Sequence, residues 1–239
     1  MAGHNKWSQI KHKKAKTDAQ KGQAFARVGR EITIAVKLGG GSDPAGNNRL
    51  RLALQKAKEV NMPNDNIKRA IQKGEGAGDL SNYEEVLFEG YGPNGVAIMV
   101  DALTDNRNRT VPNIRLIFGK YGGNLGAQGA VSYLFTQKGL FVFSPDGPES
   151  DIVDLSLELG ADDIDVKEDG SIEVVFPPDL YLEAVDGYAK ASLVYAHSAI
   201  DMIPSVSVSL VDKEYETVEK LIESLEADED VQAVYSNLA

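Results

Sequence analysis

The chain has no cysteine, which excludes disulfides, thiolate metal centres and cysteine nucleophiles. Its three histidines, His4, His12 and His197, are too few and too scattered for a zinc centre. Two of them sit among lysines that repel cations. No apolar run is long enough to cross a bilayer. The opening Met1-Ala2-Gly3-His4-Asn5-Lys6 lacks the apolar stretch of a signal peptide, and residues 1–25 hold no arginine, unlike a mitochondrial transit peptide. No glycine-flanked nucleophilic serine appears, and His197 is the only histidine beyond the basic start, so no Ser-His-Asp arrangement can be assembled. The acids Asp162-Asp163, Glu168-Asp169 and Asp228-Glu229-Asp230 show no EF-hand spacing and read as solvated turns. These absences point to a reducing cytoplasm, no metal centre, no cofactor and no membrane partner, and they lower the expectation of catalysis without excluding it.

What is present is unevenly distributed. Residues 1–73 hold 16 of the 25 Lys+Arg but 5 of the 36 Asp+Glu, a net of +11. The remainder holds 9 bases and 31 acids, a net of −22, so the overall −11 conceals a basic head on an acidic body. A concentrated positive segment attracts polyanions over about a Debye length, roughly 8 Å in physiological salt, and an acidic body repels them.

The hydrophobic pattern divides the chain further. Residues 1–21 carry six lysines and little apolar content, which predicts a mobile basic arm. Phe25, Val28, Ile32, Ala35 and Val36 recur at helical spacing, and Gly39-Gly40-Gly41 ends that helix. A second helix is predicted over about 47–60 and a third ending at Gly74 as its C-cap. Together they make a basic helical bundle over 22–78, with Gly74–Ser81 as a linker. Beyond it the period shifts to 2. Tyr83–Tyr91 and Val96–Leu103 read as strands of a hairpin, followed by a helix over about 111–121. Region 140–210 reads β-α-β-β-α-β, its last strand at Val206–Val211. The predicted fold is α+β: an N-terminal three-helix bundle followed by two ferredoxin-like α+β domains, one inserted in the other. The discontinuous domain takes residues 79–136 and 204–239 in a mixed sheet, and the acidic inserted domain takes 137–203.

Three motifs bear on chemistry. The arm Lys6-Trp7-Ser8-Gln9-Ile10-Lys11-His12-Lys13-Lys14-Ala15-Lys16 offers flexible cations for phosphates and, in Trp7, a base-stacking face. Lys21, Arg27, Arg30, Lys68 and Arg69 extend the positive charge through the bundle. The segment Leu103-Thr104-Asp105-Asn106-Arg107-Asn108-Arg109-Thr110 lies between a strand and a helix. Arg107 and Arg109 could grip a phosphate there. Alternatively Asp105, Asn108 or Thr110 caps the helix and the arginines pair with local acids. Finally, Gly119-Lys120-Tyr121-Gly122-Gly123-Asn124-Leu125-Gly126 lacks the phosphate-loop pattern and follows a helix instead of opening one, so a helix cap and tight turn explain its glycines better.

Several of these segments together resemble the YebC/PmpR family. They are Ala2-Gly3-His4-Asn5-Lys6-Trp7, Arg30-Glu31-Ile32, Asp43-Pro44, Asn61-Met62-Pro63, Arg69-Ala70-Ile71, Glu89-Gly90-Tyr91-Gly92-Pro93, Leu103–Thr110 and Gly122–Gly126. Asn5 and Ala130 stand where the family often has serine. The family also includes a mitochondrial translational activator of a cytochrome oxidase subunit. The resemblance implies a helical N-terminal domain, two α+β domains with one inserted, and a cytoplasmic regulator of gene expression without known catalysis. It carries two descriptions: a DNA-binding transcriptional regulator, and a ribosome-associated translation factor that relieves stalling.

The expected partners are therefore nucleic acid, as ribosomal RNA or DNA, and the ribosome. The expected contacts are the named cations with Trp7 and His12. No helix-turn-helix spacing is visible, which favours RNA. A scaffold acting through the acidic domains is the alternative. Neutralising Lys11, Lys13, Lys14 and Lys16 should weaken binding on any sequence and flatten its salt dependence by about one unit per lost phosphate contact. Salt-titrated affinity measurements check this, and an unchanged slope refutes it.

Overall fold

The structure is a computed structural model that describes Trp7, residues 18–76 and residues 83–238. Most of the expected arm, and residues 77–82 of the expected linker, lie outside the described residues. In chain order the elements are α1 (Asp18–Leu38), α2 (Asn48–Glu59), α3 (Asn64–Glu75), β1 (Glu84–Tyr91), β2 (Ala97–Thr104), α4 (Arg107–Lys120), β3 (Asn124–Leu125) and β4 (Phe135–Phe143). There follow α5 (Glu149–Glu158), β5 (Asp163–Val166), β6 (Ile172–Phe176), α6 (Tyr181–Lys190), β7 (His197–Pro204), α7 (Asp212–Glu226) and β8 (Val231–Ser236). Contacts divide the chain into two compact units, one containing Phe135–Ser205 and the other containing the helical head, the chain up to Leu134 and the return from Val206.

In the head, α1 buries Val28, Ile32 and Ala35 against Leu50, Ala53 and Ala57 of α2 and Ala70 of α3. The buried Asn47 starts α2: its side chain accepts from Leu50 N at 2.9 Å and donates to the carbonyls of Ala35 at 2.9 Å and Gly41 at 2.7 Å. One residue thus caps a helix and ties it to the turn after α1. Helix α1 begins at Asp18, ahead of the expected Gly22, so Lys21 is helical.

Gly74 is neither a cap nor linker. It lies inside α3, whose C-cap is Gly76. A Cβ on Gly74 would sit 2.7 Å from both the Thr33 carbonyl oxygen and Val36 Cβ, so the missing side chain lets α3 approach α1.

The first sheet has strand order β3-β1-β2-β8, and the second β5-β6-β4-β7. Every ladder in both is antiparallel, where a mixed first sheet was expected. The second sheet is the ferredoxin-like β-α-β-β-α-β arrangement. The first has the same spatial plan with one change of connectivity. There β1, the counterpart of β6, comes first in the chain and is hairpinned to β2 through Pro93–Gly95, with Asn94 and Gly95 at φ 58° and 77°. The place that β1 leaves empty in the chain, between β3 and α7, is where the second unit is inserted.

The last strand of the inserted unit is His197–Pro204, paired with β4, and not Val206–Val211. Val206 and Val211 are exposed, and the segment makes a single bridge, from Val208 to Leu238. Val208 and Leu210 pack on the core of the first sheet, which explains the alternation, but the segment joins no strand ladder. The true strand hid because it carries Asp201 and ends in Pro204, as an edge strand can. Within this unit Phe141 packs against Phe176, Tyr181, Tyr188 and Tyr195 at centroid distances of 5.0–5.6 Å.

Gly74→Ala should destabilise the protein. The overpacking cost of about 1–3 kcal/mol exceeds the gain in helix propensity of at most ~1 kcal/mol. Urea unfolding checks this, since a linker glycine would tolerate the change or be stabilised by it.

Candidate nucleic-acid interface

The cations expected to bind nucleic acid fall into three groups. The first, Lys6, Lys11, His12, Lys13, Lys14 and Lys16, lies outside the described residues. Trp7 is half-buried, and Lys21 is exposed on the first turn of α1.

The second group is engaged within the protein. Arg27 is half-buried and donates to the Glu226 carbonyl. Arg30 Nη1 donates to the Glu229 carbonyl at 2.8 Å and lies 3.4 Å from the Leu103 carbonyl and 3.5 Å from Asp230 Oδ1. These two arginines fasten α1 to the loop between α7 and β8. Both are engaged with the protein's own acceptors, which leaves them less available to a phosphate than expected.

Asp230 is the centre of that contact. Its Oδ2 accepts from Thr110 Oγ1 at 2.7 Å, Thr104 Oγ1 at 3.2 Å and Arg109 Nη2 at 3.4 Å. Asp230 is buried, which corrects its reading as part of a solvated acidic turn. The Leu103–Thr110 segment is thereby explained. Thr104 and Thr110 are buried partners of Asp230, and the cap of α4 is Asn106, whose side chain accepts from Arg109 N at 3.2 Å. None of the three expected caps is used. Arg109 pairs with Asp105 at 2.9 Å and Arg107 with Glu84 at 3.7 Å, both near the surface. Such exposed pairs are worth roughly 0–1 kcal/mol, so Arg107 can exchange its partner for a phosphate, whereas Arg109 is also held by Asp230.

The third group remains available. Lys68, Arg69 and Lys73 are exposed on α3. Arg69 touches only neutral groups there, the Asn66 side chain at 2.6 Å and the Asp65 carbonyl at 3.2 Å. It borders a shallow cleft of about 420 Å³ that is also lined by Gly22, Phe25, Ala26, Met62 and Asn66. An apolar floor with an arginine at its rim suits a base and its phosphate.

The glycine-rich turn after α4 packs against β1, and the loop that follows it holds an internal anion. Gly122 adopts φ +80° and Gly123 lies so close to the Tyr91 carbonyl that a Cβ would approach it to 2.6 Å. Gly126 N donates to the Glu89 carbonyl at 2.7 Å. The Glu89 carboxylate then accepts from the backbone N–H groups of Gly129 and Val131 at 2.8 Å and Ser132 at 2.7 Å. Tyr91 Oη donates to the Ala130 carbonyl at 2.9 Å. Burial raises the Glu89 carboxyl, but the three N–H donors and Ser132 outweigh it and hold the group below its ordinary value. Nothing in local periodicity marked Glu89, because its donors lie 40–43 residues away. Among the described residues, no group of three His, Asp or Glu is placed to hold a metal ion.

Comparison with known proteins places this architecture. Residues 5–77 match the TACO1/YebC protein N-terminal domain, and residues 83–238 match the TACO1/YebC second and third domain. The chain belongs to the TACO1/YebC family. A "Probable transcriptional regulatory protein" of Paraburkholderia phymatum is 47% identical over 239 residues, covering 100% of this chain and 98% of the relative. One of the same description from Geobacter sulfurreducens is 47% identical over 237 residues, covering 99% and 95%. The crystal structure of a conserved hypothetical protein from Aquifex aeolicus superposes with a TM-score of 0.85 at 43% identity, covering 98% of this chain and 97% of that one. The α+β fold is thus shared with a solved relative. The segments that carried the family resemblance are largely architectural here. Arg30, Leu103–Thr110 and Asp230 form one node, and Glu89–Pro93 with Gly122–Gly126 form another.

Glu89→Gln should cost about 2–3 kcal/mol, since a charged acceptor of several N–H groups is replaced by a neutral one with a donor facing donors. Because the folded carboxyl lies below its unfolded value, its contribution is full above about pH 4.3 and disappears as pH falls through the folded value. The variant should therefore lose stability at neutral pH and converge on the parent in acid. Urea midpoints measured from pH 7 down to pH 3 check both statements.

Proposed function

We propose that the protein is a nucleic-acid-binding regulator of gene expression, without catalytic activity, whose principal contact is the basic head. The observation that carries this reading is the exposure of Lys68, Arg69 and Lys73 on α3 in a head of net charge +11, on a chain whose remainder is strongly acidic. Charge of one sign gathered at one end gives affinity for phosphates there and discourages indiscriminate binding elsewhere.

RNA, on its own or within the ribosome, fits the head better than an operator sequence. Helices α2 and α3 are joined by a short turn, but both pack chiefly on α1 and little on each other. A helix-turn-helix instead braces its recognition helix with the helix before it. Phosphate and shape recognition by exposed lysines suits irregular RNA. Duplex DNA is the second reading, favoured by the description of the relatives as transcriptional regulators.

The experiment is fractionation of a lysate with nuclease arms. The protein should travel with ribosomes and be released by RNase; release by DNase alone would favour the second reading, and movement with neither would overturn the proposal. Lys68→Ala with Arg69→Ala should weaken binding of any RNA with stability changed by no more than about 0.5 kcal/mol, as for exposed sites generally.

A further inference from the structure

Helix α4 stands out in the acidic body. Its 14 residues include Arg107, Arg109, Arg115 and Lys120 and no acid. The first two have carboxylate partners, as described above. The second two differ. Arg115 is exposed and has no ion-pair partner among the described residues. Lys120 lies over the Tyr121 ring, its Nζ 5.1 Å from the centroid. Between them Leu116 is 70% exposed, an unusual degree for a leucine on a helix whose other face is buried. With Pro112 and Gly119 these residues form one open face of the helix.

The neighbouring helix adds to the same surface. Tyr121 Oη and Ser224 Oγ are 2.7 Å apart, which ties the end of α4 to α7. That hydrogen bond first, and then Lys120 and Lys220, hold the Tyr121 hydroxyl below its ordinary value, so Lys220 of α7 acts on the same place. Lys220 is exposed and makes only a long pair with Glu216, at 3.5 Å. Lys220 stands on α7 among Glu216, Glu219 and Glu223, and Asp228 accepts from Asn113 Nδ2 at 2.9 Å.

We infer that Arg115, Leu116, Lys120 and Lys220 form a second nucleic-acid contact, taking the phosphodiester backbone of an RNA strand on the three cations and a base on the leucine. This rests on the nucleic-acid reading above. Arg115 and Lys120 are separated by about 7.5 Å along the helix axis, comparable with about two nucleotide steps of 3.4 Å. An exposed apolar side chain flanked by exposed cations is the pattern of a strand site that stacks bases and neutralises phosphates. Elsewhere the body repels such a strand, so this acid-free helix gives it a defined second foothold. The head and α4 belong to the same compact unit, so one polyanion can be served by both.

The test uses the full-length chain and a labelled single-stranded RNA of about 20 nucleotides, followed by fluorescence anisotropy across salt. The variant combines Arg115→Gln, Lys120→Gln and Lys220→Gln. It should bind about tenfold more weakly or worse, with a salt slope shallower by about 2, because each lost contact on a single strand removes about 0.7. Leu116→Ala should weaken binding at an unchanged slope. All four positions are exposed, and thermal melts verify that the variants remain folded. A variant of Lys68, Arg69 and Lys73 to Gln runs in parallel. If that variant weakens binding and the α4 variant matches the parent, this inference fails and the basic-head reading stands. If the parent protein binds no RNA, both fail. Polyglutamate serves as the acidic-protein control: if it binds the parent and not the α4 variant while RNA binding is unaltered, the face belongs to a protein partner and the inference is overturned.

Discussion

Asp230 is the carboxylate on which the larger unit depends. Its two oxygens meet Arg30 from the head, Thr104 from the end of β2, and Thr110 and Arg109 from α4. Three elements, α1, β2 and α4, are thereby held to the turn that precedes β8. A buried carboxylate is tolerable only when its lone pairs are satisfied, and removing one partner of such a pair typically costs about 3–5 kcal/mol. The change of charge sign along the chain therefore has an internal consequence. Part of the head's positive charge is drawn onto acceptors of the body, through Arg27 and Arg30, and fixes the head to the first sheet.

Glu89 performs a comparable task at the opposite edge of that sheet. Backbone N–H groups converging from a glycine-rich loop make an anion site whether the anion is a phosphate or a side chain. Here the anion is a buried glutamate of β1, already hydrogen-bonded to three donors. The loop from Gly126 to Ser132 is thus a positioned connection into the inserted unit and has no vacancy for a nucleotide. Glycine in a loop is evidence of close approach or positive φ, and only the occupant decides what the loop does.

Elements governed by local signals were legible from sequence. The helical spacing of Val28, Ile32 and Ala35 and the hairpin at Pro93–Gly95 follow from side-chain periodicity and turn residues, as does the order of the inserted unit up to its last strand. What was not legible depended on long-range pairing. Val206–Val211 alternates like a strand but lacks a neighbouring strand, whereas His197–Pro204 lacks the alternation and is selected by β4. Gly74 looked like a terminus because a glycine after a helical pattern usually is one. Its true role depends on Thr33 and Val36, which lie far back in the chain. The site shows the same division. Residue type located the cations, but no local pattern distinguishes Arg30, turned to Asp230, from Arg69, turned to solvent.

That distinction is the substantive one for function. Counting charge gives the head +11, yet a cation already satisfied by a buried carboxylate or carbonyl is costly to withdraw and contributes little to a phosphate contact. Removing Arg27 and Arg30 from the reckoning shifts the weight of the described head onto α3, and the same criterion raises Arg115 and Lys120 above the more conspicuous Arg107 and Arg109. An acidic surround sharpens the effect. With screening complete over about a Debye length, a strand approaching the body meets repulsion everywhere except where acids are locally absent. Helix α4 is such a place, because its two N-terminal arginines neutralise Asp105 and Glu84 and leave its outer face without negative charge. In this view the pairs at the start of α4 are not competitors of the phosphate contact but what clears the ground for it.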